Sequence, residues 1–299
     1  MNLKNLTLII EYINSILNIM DFDKQNKYLC MLAPSFVSMY EYPNIVYRLR
    51  ALGFEKVVEV TFGAKMTNIS YYEILKEKKD ERTWIASPCP TLVNLVRAKY
   101  PHLIPNLVPV HSPMGSMALV CKKHFPGYKI VFVGPCITKK LEAKELGTVD
   151  EVLTFKELND LFVAKNIPEI ITDDRYCITF DKLYNDYTKV YPLSGGLSNT
   201  LQYENILKKK DILVTDGIKN VTKVLDGFKD GRYKQYKFLD ILSCEGGCVN
   251  GPCMDYKYPL QERIKRVKSY KEYASRYEKD LGRTGRKIDA KGIDFSRKF

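Results

Sequence analysis

The 299-residue chain has no run of eighteen or more apolar residues, the length that a bilayer's hydrocarbon core demands of a crossing helix. Its N-terminal apolar stretch, Leu3 to Met20, is broken by Asn5, Glu11, Asn14 and Asn18, so neither a membrane span nor a signal peptide is predicted. There Leu6, Ile9, Ile10, Ile13, Ile16, Leu17 and Met20 recur at helical spacing, which predicts a helix within residues 1–27 that packs on its own domain. Zinc-finger and RNP-type motifs are missing, which leaves a nucleic-acid partner without support. Internal repeats and low-complexity segments are missing too, which excludes a solenoid or a disordered linker protein.

What is present begins with size and charge. A chain of this length with 45% hydrophobic residues can bury a core as one large domain or two fused lobes and can enclose a cofactor. The formal net charge of +12 is uneven, with fourteen Lys or Arg against seven Asp or Glu from Asp255 to Phe299. A basic C-terminal tail over residues 259–299 is therefore expected, read first as a solvated helix face from about Gln261 to Leu281 followed by a Gly-punctuated stretch that needs a neighbour to order it.

Short Val- and Ile-rich runs alternate with helical patterns, the signature of an α/β fold with parallel sheets. Strands are predicted at Tyr28 to Ala33, Lys56 to Val60, Thr83 to Ala86, Lys129 to Val133, Glu151 to Phe155, Asp211 to Thr215 and Lys237 to Leu242, with helices such as Thr91 to Tyr100 and Phe155 to Val163. Pro126-Gly127 marks a turn before a new strand, which divides the chain into a first lobe over 28–126 and a second over 127–258. Each lobe is expected to hold a mostly parallel sheet flanked by helices, with the cofactor between the lobes.

Eight cysteines without an export signal point to a reducing, cytoplasmic compartment where thiols serve metals or catalysis. Cys89 lies in Ser87-Pro88-Cys89-Pro90 and Cys136 in Gly134-Pro135-Cys136-Ile137-Thr138-Lys139-Lys140, each between a predicted strand and a helical stretch. Ligands of α/β sheets collect at such carboxyl ends, and nearby helix N-termini with Lys139 or Lys140 favour the thiolate. Cys244-Glu245-Gly246-Gly247-Cys248 adds a glycine-rich CxxxC after the last predicted strand, where glycine lets the backbone wrap a bulky inorganic ligand. Four thiols suit a cubane iron-sulfur cluster. A zinc site draws CxxC pairs from nearby knuckles, and a redox dithiol at Cys244 and Cys248 would leave the two Pro-flanked cysteines without a role. Cys30, Cys121 and Cys177 read as structural, and a contact from Cys253 to the cofactor stays open.

These stretches resemble the three signatures of the iron-only (FeFe) hydrogenases: Ser87-Pro88-Cys89-Pro90; Pro135-Cys136-Ile137-Thr138-Lys139-Lys140 with Glu142; and Ser243 to Pro252. Ala33-Pro34-Ser35, Leu52-Gly53-Phe54, His111-Ser112-Pro113-Met114, Asp150 to Leu158 and Ser194-Gly195-Gly196-Leu197 support the resemblance. It implies a 4Fe-4S cubane held by Cys89, Cys136, Cys244 and Cys248, with Cys248 also bridging to a two-iron subcluster that carries carbonyl and cyanide ligands. It further implies that Lys139 bonds a cyanide, and that dihydrogen and protons are the reactants. Electrons would come to the cubane directly from a carrier such as ferredoxin, because the ferredoxin-like N-terminal cysteine clusters are missing.

Departures accompany the matches. Members that turn over carry a proton-relaying cysteine where Pro88 stands here, and of the acids of their relay only Glu73 has a counterpart. Gly134 replaces a methionine, and the third signature ends in Asn-Gly-Pro. The pattern is similar to that of divergent sensory hydrogenases joined to signalling modules. Slow reaction with, or sensing of, dihydrogen is one expectation; a non-catalytic 4Fe-4S electron-transfer or cluster-assembly scaffold is the other.

Overall fold

A computed structural model describes residues 25–77, 82–171, 179–201, 206–228, 230–278 and 282–299. The predicted N-terminal helix and Cys177 lie outside these residues. The fold consists of two parallel sheets flanked by helices, as the alternating pattern predicts. The first sheet holds β1 (Lys27–Leu32), β2 (Lys56–Glu59), β4 (Tyr128–Gly134) and β5 (Glu151–Thr154) in the order β2-β1-β4-β5. The second holds β3 (Trp84–Ile85), β6 (Ile212–Asp216) and β7 (Phe238–Leu242) in the order β3-β7-β6. All seven predicted strands are present, with ends shifted by at most one residue. β7 is buried along its whole length, as befits a parallel strand covered on both faces.

Each sheet draws strands from both sides of residue 127, so the sheets do not follow a cut there. β4 pairs with β1 from Lys27↔Tyr128 to Leu32↔Val133, and β7 pairs with β3 at Trp84↔Phe238. A Pro-Gly turn signals a loop; it carries no information about which sheet the next strand joins, because a parallel crossover can carry the chain to a distant strand.

The helices are α1 (Asn44–Leu52), α2 (Thr61–Leu75), α3 (Pro90–Lys99), α4 (Pro113–His124), α5 (Thr138–Leu146), α6 (Phe155–Ala164), α7 (Gly196–Thr200), α8 (Ile218–Gly227) and α9 (Leu260–Tyr277). Proline opens α3 and α4 at the position where a missing N–H costs nothing. Thr154 and Glu157 close a reciprocal capping box at α6.

The C-terminal stretch departs from expectation. After α9 the chain runs back across the molecule as a strap, bridging Tyr184 to Thr284 and Val110 to Ser296, with His111 N donating to Phe295 O at 2.9 Å and Arg297 N to Pro109 O at 2.9 Å. Gly285 lies against the Phe62 ring so closely that a Cβ there would come within 2.3 Å. The chain itself supplies the neighbour that orders this stretch, and Arg263 and Arg297 are 4% and 6% exposed, not solvated.

Candidate metal centre

In the first sheet β1 sits between β2 and β4, and in the second β7 sits between β3 and β6. Each is the place where strand order reverses, and the carboxyl ends there leave a crevice. The two crevices face one cavity of about 100 Å³, room for several water-sized groups. Ala33, Pro34 and Ser35 come to it from the end of β1, Pro135 and Cys136 from β4, Pro88 and Cys89 from β3, and Ser243, Cys244 and Cys248 from β7. The structure thus brings together all four cysteines singled out in the sequence, together with Lys139.

Cys89 is the residue preceding α3, and its Sγ lies 3.5 Å from Ser243 Oγ. Cys136 stands two residues before α5, with its Sγ 2.8 Å from Thr138 Oγ1. The loop carrying Cys248 is pinned from three sides. Cys248 N donates to Pro192 O at 2.7 Å, Arg263 of α9 donates to Val249 O at 2.6 Å, and the same guanidinium reaches Asn250 Oδ1 at 3.0 Å. Arg263 was not visible as a site residue from sequence, where it counted only as part of a basic helix. Gly247 has φ 93°, and a Cβ there would fall 2.4 Å from Pro192 O; at Gly251 it would fall 2.6 Å from Pro135 O. These glycines serve chiefly to let three loops close on one another around the thiols.

Among the described residues no three His, Cys, Asp or Glu side chains converge closely enough to hold one ion. Yet burial first, then Cys89 and Cys136, pushes the Cys244 thiol up to about 12, and burial with the other three cysteines raises Cys248. The four are therefore close enough to feel one another's charge, and they are spread over three loops, past β3, β4 and β7. A cluster whose corner irons each take one thiolate fits that spread. Burial thus disfavours the bare thiolate at Cys244 and Cys248. A thiol there gives up its proton to the incoming metal.

Lys139 and Lys140 separate cleanly. Lys140 Nζ turns away to Glu157 Oε1 at 2.6 Å. Lys139 lines the cavity, its Nζ 2.6 Å from Glu142 Oε2, 3.1 Å from Ser112 Oγ and 3.3 Å from Pro88 O. Ser35, quoted above only as a matching stretch, is fully buried, lines the same cavity and has an Oγ with no hydrogen-bond partner. An orphaned buried hydroxyl costs free energy unless something accepts from it, so Ser35 and Lys139 fit a ligand with exposed acceptor atoms. Pro88 also lines the cavity. At Gly134 the Phe132 ring fills the side-chain space, 2.6 Å from where a Cβ would stand, and it lines the cavity in turn.

Glu73 does not reach the site. It is exposed on α2 and ion-pairs with Lys76 one turn on, so no carboxylate or imidazole is among the described residues that line the cavity. Cys253 stays outside the lining as well: its N–H donates to Pro135 O at 3.1 Å, behind the Cys136 loop. Cys30 and Cys121 are fully buried in the core of the first sheet.

The family described as "Iron only hydrogenase large subunit, C-terminal domain" matches residues 27–252. Iron hydrogenase 1 of Clostridium pasteurianum is 26% identical over 253 residues, 68% of this chain and 44% of that protein. A cytosolic Fe-S cluster assembly factor of Yarrowia lipolytica is 24% identical over 286 residues, 68% of this chain and 58% of that one. The chain thus spans about half the length of the curated relatives it matches. Among solved structures, an FeFe-hydrogenase variant of Chlamydomonas reinhardtii aligns with TM-score 0.61 at 17% identity, covering 88% of both chains. A hydrogenase structure titled for stepwise H-cluster assembly aligns with TM-score 0.60 at 18% identity, covering 94% of this chain and 96% of that one. No described helix is long and apolar enough to cross a membrane.

Proposed function

The chain belongs to the iron-only hydrogenase large-subunit family, in its C-terminal domain, and from that premise we propose that it binds a six-iron cofactor and reacts slowly with dihydrogen or senses it. Cys89, Cys136, Cys244 and Cys248 would hold the 4Fe-4S cubane, with Cys248 shared with a two-iron subcluster. That subcluster, when bound, would supply the site at which protons and dihydrogen interconvert.

One observation carries this reading: Ser35, whose Oγ is buried and unpartnered, lines the same cavity as Lys139 and the four cysteines. A cubane alone needs sulfur donors; a lysine and an orphan hydroxyl beside it provide for further anionic acceptors. Slow turnover follows from the lining. A general acid must lie within hydrogen-bond reach of the reacting atom; Pro88 has no proton to give, and Lys139 is engaged by Glu142, Ser112 and the Pro88 carbonyl. Electrons would reach the cubane from a ferredoxin-like carrier, in the cytoplasm.

A second reading, a 4Fe-4S protein without the two-iron unit, is favoured by Pro88 and by the similarity to cytosolic Fe-S cluster assembly factors. Anaerobic maturation followed by iron analysis and infrared spectroscopy separates the two. Our reading expects about six irons per chain with carbonyl and cyanide bands; about four irons and no bands would establish the second. Cys248→Ser loses iron in either case, whereas Cys253→Ser keeps it.

A further inference from the structure

Beside the cavity lies a chain of charges that the strap completes. Glu142 is buried, and each of its oxygens holds a different cation: Oε2 is 2.6 Å from Lys139 Nζ, and Oε1 is 2.6 Å from Arg297 NH1. Lys139 and Glu142 alone would form a neutral pair and offer the cavity little net charge. The second cation changes the balance. Arg297 also reaches Glu145 Oε2 at 3.2 Å, but Glu145 is partly exposed and has its own partner in Arg97 at 2.7 Å. Three cations thus face two carboxylates.

We propose that Arg297 is a positioning residue that leaves a surplus positive charge on Lys139, directed at the anionic cofactor. The inference rests on the function proposed above and names a residue that neither the sequence signatures nor the family match, which ends at residue 252, includes. The strap's anchoring supports it. Arg297 N bonds Pro109 O, Ser296 bridges to Val110, and Phe295 O accepts from His111 N. Those contacts hold the loop that leads into Ser112, whose hydroxyl is the other partner of Lys139. One segment therefore fixes both the counter-charge and the hydroxyl that aim the lysine. Burial first, and then Arg297, hold the His111 imidazole below its ordinary value, so the neighbouring ring adds no competing cation at neutral pH.

A thiolate-ligated cluster becomes more negative on reduction, and its potential follows the net charge and hydrogen bonds around it. Low-dielectric surroundings strengthen that coupling. The experiment is an electron-resonance-monitored redox titration of the full chain, reconstituted with iron and sulfide alone so that only the cubane is read. Arg297→Met should move the cubane midpoint to more negative potential, and Glu142→Gln, which frees both cations, to more positive potential. Combining Glu142→Gln with Arg297→Met should return it toward wild type, because the two charge changes cancel; a purely structural role for Arg297 predicts no such cancellation. If Arg297→Met does not fold, the upward shift in Glu142→Gln remains the deciding measurement. Unmoved potentials in a cluster-bearing protein overturn the inference alone. A wild-type chain that takes up no cluster overturns the functional reading and the inference with it.

Discussion

Two lysines, one half-buried and one fully buried, show how one residue type takes opposite roles. Lys139, beside the cavity, shares a single carboxylate with Arg297, so its network holds more cations than carboxylates. Lys189 is fully buried and faces two carboxylates, Glu59 at 2.6 Å and Glu278 at 2.9 Å, with the Tyr270 ring centroid 4.2 Å from its Nζ. There the carboxylates are in excess. It lies where β2, the turn before Tyr191 and α9 meet, and it joins elements without offering charge to a ligand. The cavity-side cluster has more cations than carboxylates, whereas the core cluster has more carboxylates than cations and is closed on itself.

The largest effect follows from removing each lysine in turn. Lys189→Met leaves Glu59 and Glu278 buried with no cation among their ion-pair partners, and removing one partner of a buried pair costs about 3–5 kcal/mol. Lys139→Met leaves Glu142 still paired with Arg297, so its cost should be less than half as large. Its defect should appear as lost cyanide infrared bands in the matured protein. Urea unfolding of the two variants checks the order; equal losses of stability would dissolve the distinction.

The second contrast is in pH. Burial first, with Glu278 adding to it against the pull of Lys189, pushes Glu59 up to about 7. An acid whose pKa is higher folded than unfolded binds more protons in the folded state between the two values, so stability falls as pH rises through that interval. This contribution is full below about 4.5, the ordinary value of a glutamate, and is lost by about 7. The wild-type urea midpoint should therefore carry a downward component between pH 5 and 7.5 that Glu59→Gln removes. A variant that keeps the same slope would place the proton elsewhere.

Much of this contrast was hidden in the sequence, and the reason is physical. The strands were legible because a parallel strand buried on both faces must be apolar along its length, as Phe238–Leu242 is apart from Asp240. The four thiols were legible because each follows such a strand. Sheet membership was not, since Pro126-Gly127 marks a turn without choosing a partner for β4. Nor were Arg263 and Arg297: the basic run from Asp255 to Phe299 reads as solvated until the chain is seen to fold back. Ser35 could have been read as a ligand-facing residue from its place just past β1, the position Cys89 and Cys136 occupy past β3 and β4. Glu73 misled in the opposite direction, because an acid at a matching sequence position on α2 can still face water.

The smallest effect tests the cavity-side network from its exposed end. Glu145 is held below the usual carboxylate value, chiefly by its hydrogen bonds from Arg97 and then by the charge of Arg297. Here the sign is the reverse of that at Glu59. A depressed acid stabilises the fold above its unfolded value and loses that contribution as pH falls. Glu145 and Arg97 are 39% and 30% exposed, so water and salt screen the pair, and exposed ion pairs are worth about 0.2–1 kcal/mol. Arg97→Ala should therefore lower stability by no more than about 1 kcal/mol at pH 7 and low salt, and by less at high salt. The loss should shrink further as pH falls and the depressed carboxylate takes up its proton. It should also leave the cubane potential nearly unchanged, because Glu142 keeps both of its own cations. A potential shift as large as that of Arg297→Met would mean that the charge balance at the cavity is set across the whole chain of five residues and not by Lys139, Glu142 and Arg297 alone.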